Sequence, residues 1–441
     1  MSSSAAPIRT LLFSTLYPSG ARPGHGIFVE TRLRELLKSG AVETRVVAPV
    51  PWFCSTHPRF GDYARLAATP AREMRHGIEV RHPRYFLPPK VGMQIAPFAL
   101  AAGALPAIRR LQREGFDFDL IDAHYYYPDG VAAALLARHL GKPFVVTARG
   151  SDINLIARHA VPRRLMRWAA GRAAASICVS GALRDALAGI GAERAKLRVL
   201  RNGVDLARFA PLPPASARAE LGWPAAPTLL SVGNLVENKG HHLAIELLAL
   251  PAGAGGERGV GPDTRLAIVG DGPERAALAA LAQRLGVASR VVFAGAVAQE
   301  RLPAYYSAAD VLILASSREG WPNVLLEAMA CGTPVVATAV GGVPEAVAAP
   351  VAGRLVPASP APSAAAFATA LADLRRAGID RAAVRRYAEG FGWAETTQGQ
   401  LALFSEALAG RREAAGAASG VPDASDAPGA PGVPQSGGEA R

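Results

Sequence analysis

Short apolar runs, each followed by a stretch of helical periodicity, alternate along nearly the whole chain in two successive series. Arg9–Ser14, Thr44–Pro49, Leu120–Ala123, Phe144–Ala148, Ser176–Val179 and Leu197–Leu200 form the first series; Thr228–Val232, Arg265–Val269, Val291–Ala294, Val311–Ala315 and Val335–Thr338 form the second. Strands that are apolar throughout are buried on both faces, and the intervening helices supply the covers. Each series therefore predicts a parallel, doubly wound sheet. With 441 residues, half of them hydrophobic, the chain can fill two cores. The fold class expected is α/β, two Rossmann-like domains over residues 1–205 and 206–380, with a ligand cleft beyond the carboxyl ends of their strands. Pro211, Pro213 and Pro214 mark Asp205–Pro227 as the connection. Helices are expected over 381–409, anchored by Phe391 and Trp393, then a disordered Ala/Gly/Pro/Ser tail over 410–441.

The formal net charge of +12 is carried almost wholly by arginine, since only five of the 48 basic residues are lysines. That excess suits anionic partners such as nucleotide diphosphates, lipid phosphates or a membrane face. Sparse aromatics and the lack of a recognised module or lysine-rich tail argue against nucleic acid. Cys54, Cys178 and Cys331 are odd in number and lack metal-like spacing, which argues against a disulfide framework or a zinc site. No basic region precedes an apolar signal core, Leu11–Leu16 being brief and strand-like. The longest apolar run, Ile95–Ile108, is interrupted by Pro97 and Pro106 and is too short to span a bilayer. A cytoplasmic protein without an integral membrane segment is expected.

The segment Ser317–Thr338, SREGWPNVLLEAMACGTPVVAT, carries the densest chemical information. Proline suits the first helical position, so a helix is predicted from Pro322 or Asn323 to the Gly332-Thr333-Pro334 stop. Glu319 then lies in the preceding loop, with Glu327 about one turn into the helix. Free backbone N–H groups at a helix start favour anions, so this end can hold a diphosphate while the carboxylates hold sugar hydroxyls. The plainer alternative is an amphipathic helix with two solvated acids.

Other strand ends carry further candidates. In Ser231–Gly240, Gly233 and Gly240 let backbone approach a phosphate and Lys239 can add a point charge, against the alternative of a surface turn. Gly270-Asp271-Gly272-Pro273 reads as a tight turn, and Val291–Val297 can offer backbone groups to a nucleobase. Gly24, His25 and Gly26 form a glycine-containing loop after the first strand. His124 ends a strand, a position that favours a catalytic role although lone histidines are more often structural. Arg149 either binds an anion or pairs with Asp152. Arg158, Arg163, Arg164, Arg167 and Arg172, beside Leu165, Met166 and Trp168, either lie on an anionic membrane or form a solvated helix face.

Together these residues resemble retaining glycosyltransferases of family 4, which have the GT-B architecture. The resemblance runs from about residue 8 to 408 and is strongest over 228–347. It rests on the Glu-x7-Glu pair Glu319 and Glu327, with VVTARGSDIN (145–154), NGVDLARF (202–209), SVGNLVENKG (231–240) and IVGDGPE (268–274). It implies that Glu327 binds the ribose hydroxyls and that Glu319 lies beside the donor sugar. The backbone of Asn323, Val324 and Leu325 would meet the diphosphate, with Gly233, Asn234, Gly270 and Val297 as further nucleotide contacts. Lys239 would neutralise the leaving phosphate. The Gly24–Gly26 loop would approach from the other domain, and the last helix, after Trp393, would cross back onto it. Arg149 and His124 complete the catalytic candidates.

Two departures stand out: many members place arginine at the position of Asn234 and histidine at that of Arg149, and Arg149 is expected to supply compensating charge. The implied reaction moves a hexose from a UDP- or GDP-sugar to a glycan or lipid-linked acceptor, with retention, without metal or cofactor. Bacterial exopolysaccharide or lipopolysaccharide synthesis at the inner face of the plasma membrane is the implied setting. Asp117-Phe118-Asp119 precedes a strand and reads as loop rather than as a metal motif. A nucleotide-sugar 2-epimerase of the same architecture and a non-catalytic nucleotide-sugar-binding scaffold are the alternatives.

Overall fold

The computed structural model describes residues 6–87, 92–251 and 260–419, with side chains as far as Arg411. In chain order the strands are β1 (Ile8–Phe13), β2 (Val42–Val47), β3 (Val50–Pro51), β4 (Arg72–Arg75), β5 (Ile78–Arg81), β6 (Arg84–Tyr85), β7 (Leu120–His124) and β8 (Phe144–Ala148). They continue as β9 (Ala175–Cys178), β10 (Leu197–Val199), β11 (Thr228–Val232), β12 (Arg265–Val269), β13 (Val291–Gly295), β14 (Val311–Leu314), β15 (Val335–Thr338) and β16 (Gly353–Val356). The first sheet has the order β10-β9-β8-β7-β1-β2-β5-β4 and the second β13-β12-β11-β14-β15-β16; β3 and β6 form a separate ribbon. Two doubly wound sheets facing a cleft are thus the architecture, as the apolar alternation requires. Leu11, Phe13, Ile121, Val146 and Ile177 in the first sheet and Leu230, Ile268 and Val336 in the second have no solvent exposure, so helices cover both faces.

The sequence pattern anticipated parallel strands alone, yet β4 pairs antiparallel with β5 at the sheet edge. REMR is exposed at alternate positions, and His76 and Gly77, at φ 48° and 78°, make the tight turn that lets the chain reverse. An edge strand of this kind needs cover on one face only. Pro97 and Pro106, expected to interrupt the apolar run, both lie inside the single helix Gly92–Arg113.

The proline-rich connection is not a plain loop, because Pro214–Leu221 is helical. Arg218 in that helix holds the Asp310 carboxylate at 3.0 Å, fastening the segment to the start of β14. At the other end of the second sheet the helix Ala394–Ser419 returns to the first. There Leu403, Phe404 and Ala407 pack with Leu36, Leu120, Val145 and Ile177. Burying one such aromatic side chain is worth about 1.5–3 kcal/mol, enough to hold the crossing. This helix continues past Gly410 to Ser419, so the disordered tail expected from residue 410 does not begin there; residues 420–441 lie outside the described residues.

In both sheets the earliest strand is central. β1 lies between β7 and β2, and β11 between β14 and β12. Connections therefore leave in opposite directions and open a crevice beyond the carboxyl ends of β1 and β7, and another beyond those of β11 and β14.

Candidate active site

Loops from the two crevices line a single cavity of about 450 Å³. Leu16, His25, Gly26 and Phe28 reach it from beyond β1, Tyr125 from β7, and Arg149 and Ser151 from β8. The other wall is Asn234, Asn238 and Lys239 after β11, and the run Arg318 to Val324 after β14. Lys239 Nζ lies 2.7 Å from Glu319 Oε1, so the loops of the second switch point are joined by an ion pair. Glu319 is largely buried and Lys239 about a quarter exposed, which leaves the ammonium face accessible.

The helix Asn323–Ala330 starts at this wall, with Pro322 at its cap. The Asn323 N–H donates to the Trp321 carbonyl and the Leu325 N–H to the Pro322 carbonyl. Among the described residues the Val324 N–H has no acceptor, and Val324 lines the cavity. Leu325 is wholly buried and does not. Of the three amides expected to meet a diphosphate, Val324's is therefore the one left free.

Glu327 lies behind this wall on a smaller cavity of about 60 Å³, which shares Phe28 and Asn323 with the larger one and includes Arg208, Gln299 and Trp393. Tyr306 donates its hydroxyl to Glu327 Oε2 at 2.7 Å. Burial pushes the Glu327 carboxyl up to about 6, against the lowering influence of the Tyr306 hydroxyl and the Arg208 charge.

On the first lobe, His124 does not reach the cavity, contrary to its place among the catalytic candidates. It is 1% exposed; Nε2 faces Asp122 Oδ2 at 3.2 Å, while Nδ1 accepts from the Arg149 guanidinium. Those partners put the ring proton on Nε2. Burial, aided by the Arg149 charge, brings its pKa down to about 4, so the ring is neutral and serves to hold Arg149. Arg149 itself does line the cavity. Its Nη1 donates to Asn202 Oδ1 at 3.1 Å and its guanidinium carbon lies 5.2 Å from the Phe28 ring centroid. The guanidinium does not pair with Asp152. That carboxylate instead accepts the backbone N–H groups of Tyr126, Arg149 and Gly150. Burial and the neighbouring Arg32 lower Arg149 to about 9, which leaves it cationic at neutral pH.

Several predicted contacts fall outside the larger cavity. Gly24 is near the loop tip and lines neither cavity. Gly233 and Gly270 support the wall from behind: Gly270, at φ 140°, packs its backbone on the Gly233 carbonyl, where a Cβ would overlap the oxygen. Val297 is half-buried against the core instead of facing the cavity. In the basic helix Ala160–Arg172, Met166 is buried and Leu165 and Trp168 pack on the core, so the apolar stripe turns inward and leaves Arg163, Arg164 and Arg167 exposed. His25, on the expected loop, lines the cavity and bonds Arg22 through Nδ1 at 2.8 Å. Among the described residues no three His, Cys, Asp or Glu side chains converge as a metal-binding group, and no helix is long and apolar enough to cross a membrane.

Sequence reasoning gave no role to Asn202, Tyr125 or Tyr306. Asn202 opens the NGVDLARF stretch that carries part of the family resemblance, and its position there was the available signal. Its importance is tertiary: it accepts from Arg149, donates to Asn323 Oδ1 at 3.3 Å, and lends its carbonyl to Trp321 Nε1 at 2.9 Å. Tyr306 lies on a helix with no motif of its own.

Comparison with known proteins agrees with this geometry. Residues 24–208 match the pattern described as Glycosyltransferase Family 4, and residues 216–391 that of Glycosyl transferases group 1. D-inositol 3-phosphate glycosyltransferase 1 of Catenulispora acidiphila is 30% identical over 441 residues, covering 92% of this chain and 98% of the relative. The GDP-mannose-dependent alpha-(1-6)-phosphatidylinositol monomannoside mannosyltransferase of Mycolicibacterium smegmatis is 36% identical over 301 residues, 65% of this chain and 76% of its own length. Among solved structures, Anabaena Alr3699/HepE in complex with UDP-glucose superposes with a TM-score of 0.64 at 23% identity, over 89% of this chain and 98% of that one. Fold and site define a glycosyltransferase of the GT-B class. More particularly, the chain belongs to glycosyltransferase family 4, the group 1 glycosyl transferases.

Proposed function

We propose that this glycosyltransferase moves a hexose from a UDP- or GDP-sugar to a glycan or lipid-linked acceptor, with retention at the anomeric carbon. The observation that carries the reading is the Lys239–Glu319 pair at 2.7 Å beside the start of the Asn323–Ala330 helix, inside the cleft. Cleaving the bond between sugar and diphosphate leaves negative charge on the phosphate. A preset ammonium and the free Val324 amide stabilise that charge more in the transition state than in the ground state. Glu327, with one oxygen engaged by Tyr306, keeps the other for ribose hydroxyls.

Glu319 is the one carboxylate lining the larger cavity among the described residues, and Lys239 holds it. A double displacement through a protein carboxylate is then poorly served. Proton transfer from the acceptor to the departing phosphate on the same face accounts for retention. Closure of the lobes excludes water from the reacting centre. Similarity to a transferase named for GDP-mannose and to a structure holding UDP-glucose supports both nucleotide classes. The exposed arginines of Ala160–Arg172 support peripheral contact with an anionic membrane face, in keeping with an acceptor used in exopolysaccharide or lipopolysaccharide assembly.

A panel of UDP- and GDP-sugars tests the reading without the acceptor. At least one is expected to bind and to be hydrolysed slowly to a sugar released with its anomeric configuration kept, as read by NMR. If none binds, the reading fails; if the released sugar is altered at C2, the protein is an epimerase.

A further inference from the structure

Arg149 is a buried cation whose immediate partners are all neutral. Its guanidinium touches the neutral His124 ring, the amide oxygen of Asn202 and the face of Phe28, and its Nε has no acceptor among the described residues. The two nearby carboxylates are occupied otherwise. Asp152 is committed to backbone N–H groups, and Asp122 is separated from Arg149 by His124 and accepts from Gln400 at 2.9 Å. A guanidinium withdrawn from water with neutral partners alone is favoured only where an anion joins it. Arg149 is only 9% exposed, yet it forms part of the cavity wall.

The diphosphate already has receivers on the opposite wall, Lys239 and the start of the Asn323–Ala330 helix. Arg149 stands elsewhere. Its carbonyl and the Gly150 backbone pack directly on Gly320, the neighbour of Glu319, which the family resemblance places beside the donor sugar. Lys239 neutralises Glu319, so that carboxylate does not repel a second anion, and Arg318 adds another positive side chain to the same cavity.

We infer that the transferred sugar is itself anionic, a nucleotide-linked hexuronate, and that Arg149 receives its carboxylate. A planar guanidinium matches a carboxylate in a way that a sugar hydroxymethyl does not. The inference rests on the nucleotide-sugar reading above, and the same guanidinium would also accept a phosphate oxygen, so the test separates these sources.

Equilibrium binding to the full-length protein is measured for UDP, UDP-glucose and UDP-glucuronate, and for GDP, GDP-mannose and GDP-mannuronate. One uronate donor is expected to bind about tenfold or more tighter than its neutral counterpart. Arg149→Gln is expected to erase that preference while leaving affinity for the bare nucleotide diphosphate within about twofold. The inference is overturned if the wild-type protein binds the neutral donor as tightly as the uronate. It is also overturned if Arg149→Gln weakens UDP or GDP alone as much as the uronate donor, which would make Arg149 a phosphate receiver. Should the variant not fold, the wild-type ratio decides. Binding of UDP or GDP without a uronate preference refutes this inference alone; failure of every nucleotide to bind refutes the underlying reading as well.

Discussion

Asn202 ties the two lobes together by donating its side-chain amide to Asn323 Oδ1 at 3.3 Å, from a position where its own Oδ1 receives Arg149 at 3.1 Å. One buried amide thus sets a group on each wall of the cleft. Asn202→Ala leaves the Arg149 Nη1 donor without that acceptor and frees Asn323. The expected cost is about 1–3 kcal/mol in unfolding free energy, read by denaturant titration, with a raised donor KM. An unchanged midpoint and KM would mean that the tie carries no energy.

Lys239→Ala removes the ammonium proposed above to receive the leaving diphosphate and leaves Glu319 unpaired. By analogy with the loss of one preset donor, kcat is expected to fall about 100- to 1,000-fold. Circular dichroism should stay unchanged, since Lys239 packs at the cavity surface. A rise in KM with kcat intact would instead assign Lys239 to binding that is uniform between ground and transition states.

Burial holds the Glu327 carboxyl at about 6, above its ordinary 4.5, and the Tyr306 hydroxyl opposes that rise. If the ionised form binds ribose, donor affinity falls as pH drops through about 6. Tyr306→Phe removes the lowering hydrogen bond and moves that midpoint to higher pH. For stability the sign is reversed. The folded state holds this proton more tightly than the unfolded chain, so the group's contribution declines as pH rises from 4.5 to about 6 and stays lower above that. A donor-binding profile flat between pH 5 and 7 (about one unit either side of that midpoint) would remove Glu327 from the ribose site.

Gly320 lies where the lobes touch, and a Cβ there would overlap the Arg149 carbonyl oxygen and crowd the Gly150 Cα at 3.0 Å. Gly320→Ala is therefore expected to hold the lobes apart. Small-angle scattering should show a larger radius of gyration, and kcat should fall more than affinity for the nucleotide, since the nucleotide contacts proposed here lie mainly on one lobe. Full activity in this variant would show that the contact between lobes is not needed for turnover.

Much of this arrangement was legible without coordinates. Apolar runs such as Phe144–Ala148 and Val335–Thr338 are buried on both faces wherever they pair, so local composition was enough to announce parallel, helix-covered sheets. Pro322 and the Gly332-Thr333-Pro334 stop bounded the helix that carries Glu327 to within a residue or two. The hairpin β4–β5 was not legible, because each of its strands is only four residues long and its pairing depends on an exposed edge. His124 and Arg149 show a different limit. Both stand at strand ends, and position alone could not separate the one that lines the cavity from the one that is buried behind it.

Local chemistry thus determined the elements and their class: strands where apolar runs demand two covers, helix boundaries where proline and glycine restrict the backbone, and the loops that carry Glu319 and Lys239. Tertiary structure alone decided which of these groups meet. Lys239 and Glu319 are 80 residues apart in sequence, and Arg149 and Asn202 are 53 apart. Contacts across such separations depend on strand order and lobe packing, which are set by the burial of the whole core and leave no local mark on the residues that come together.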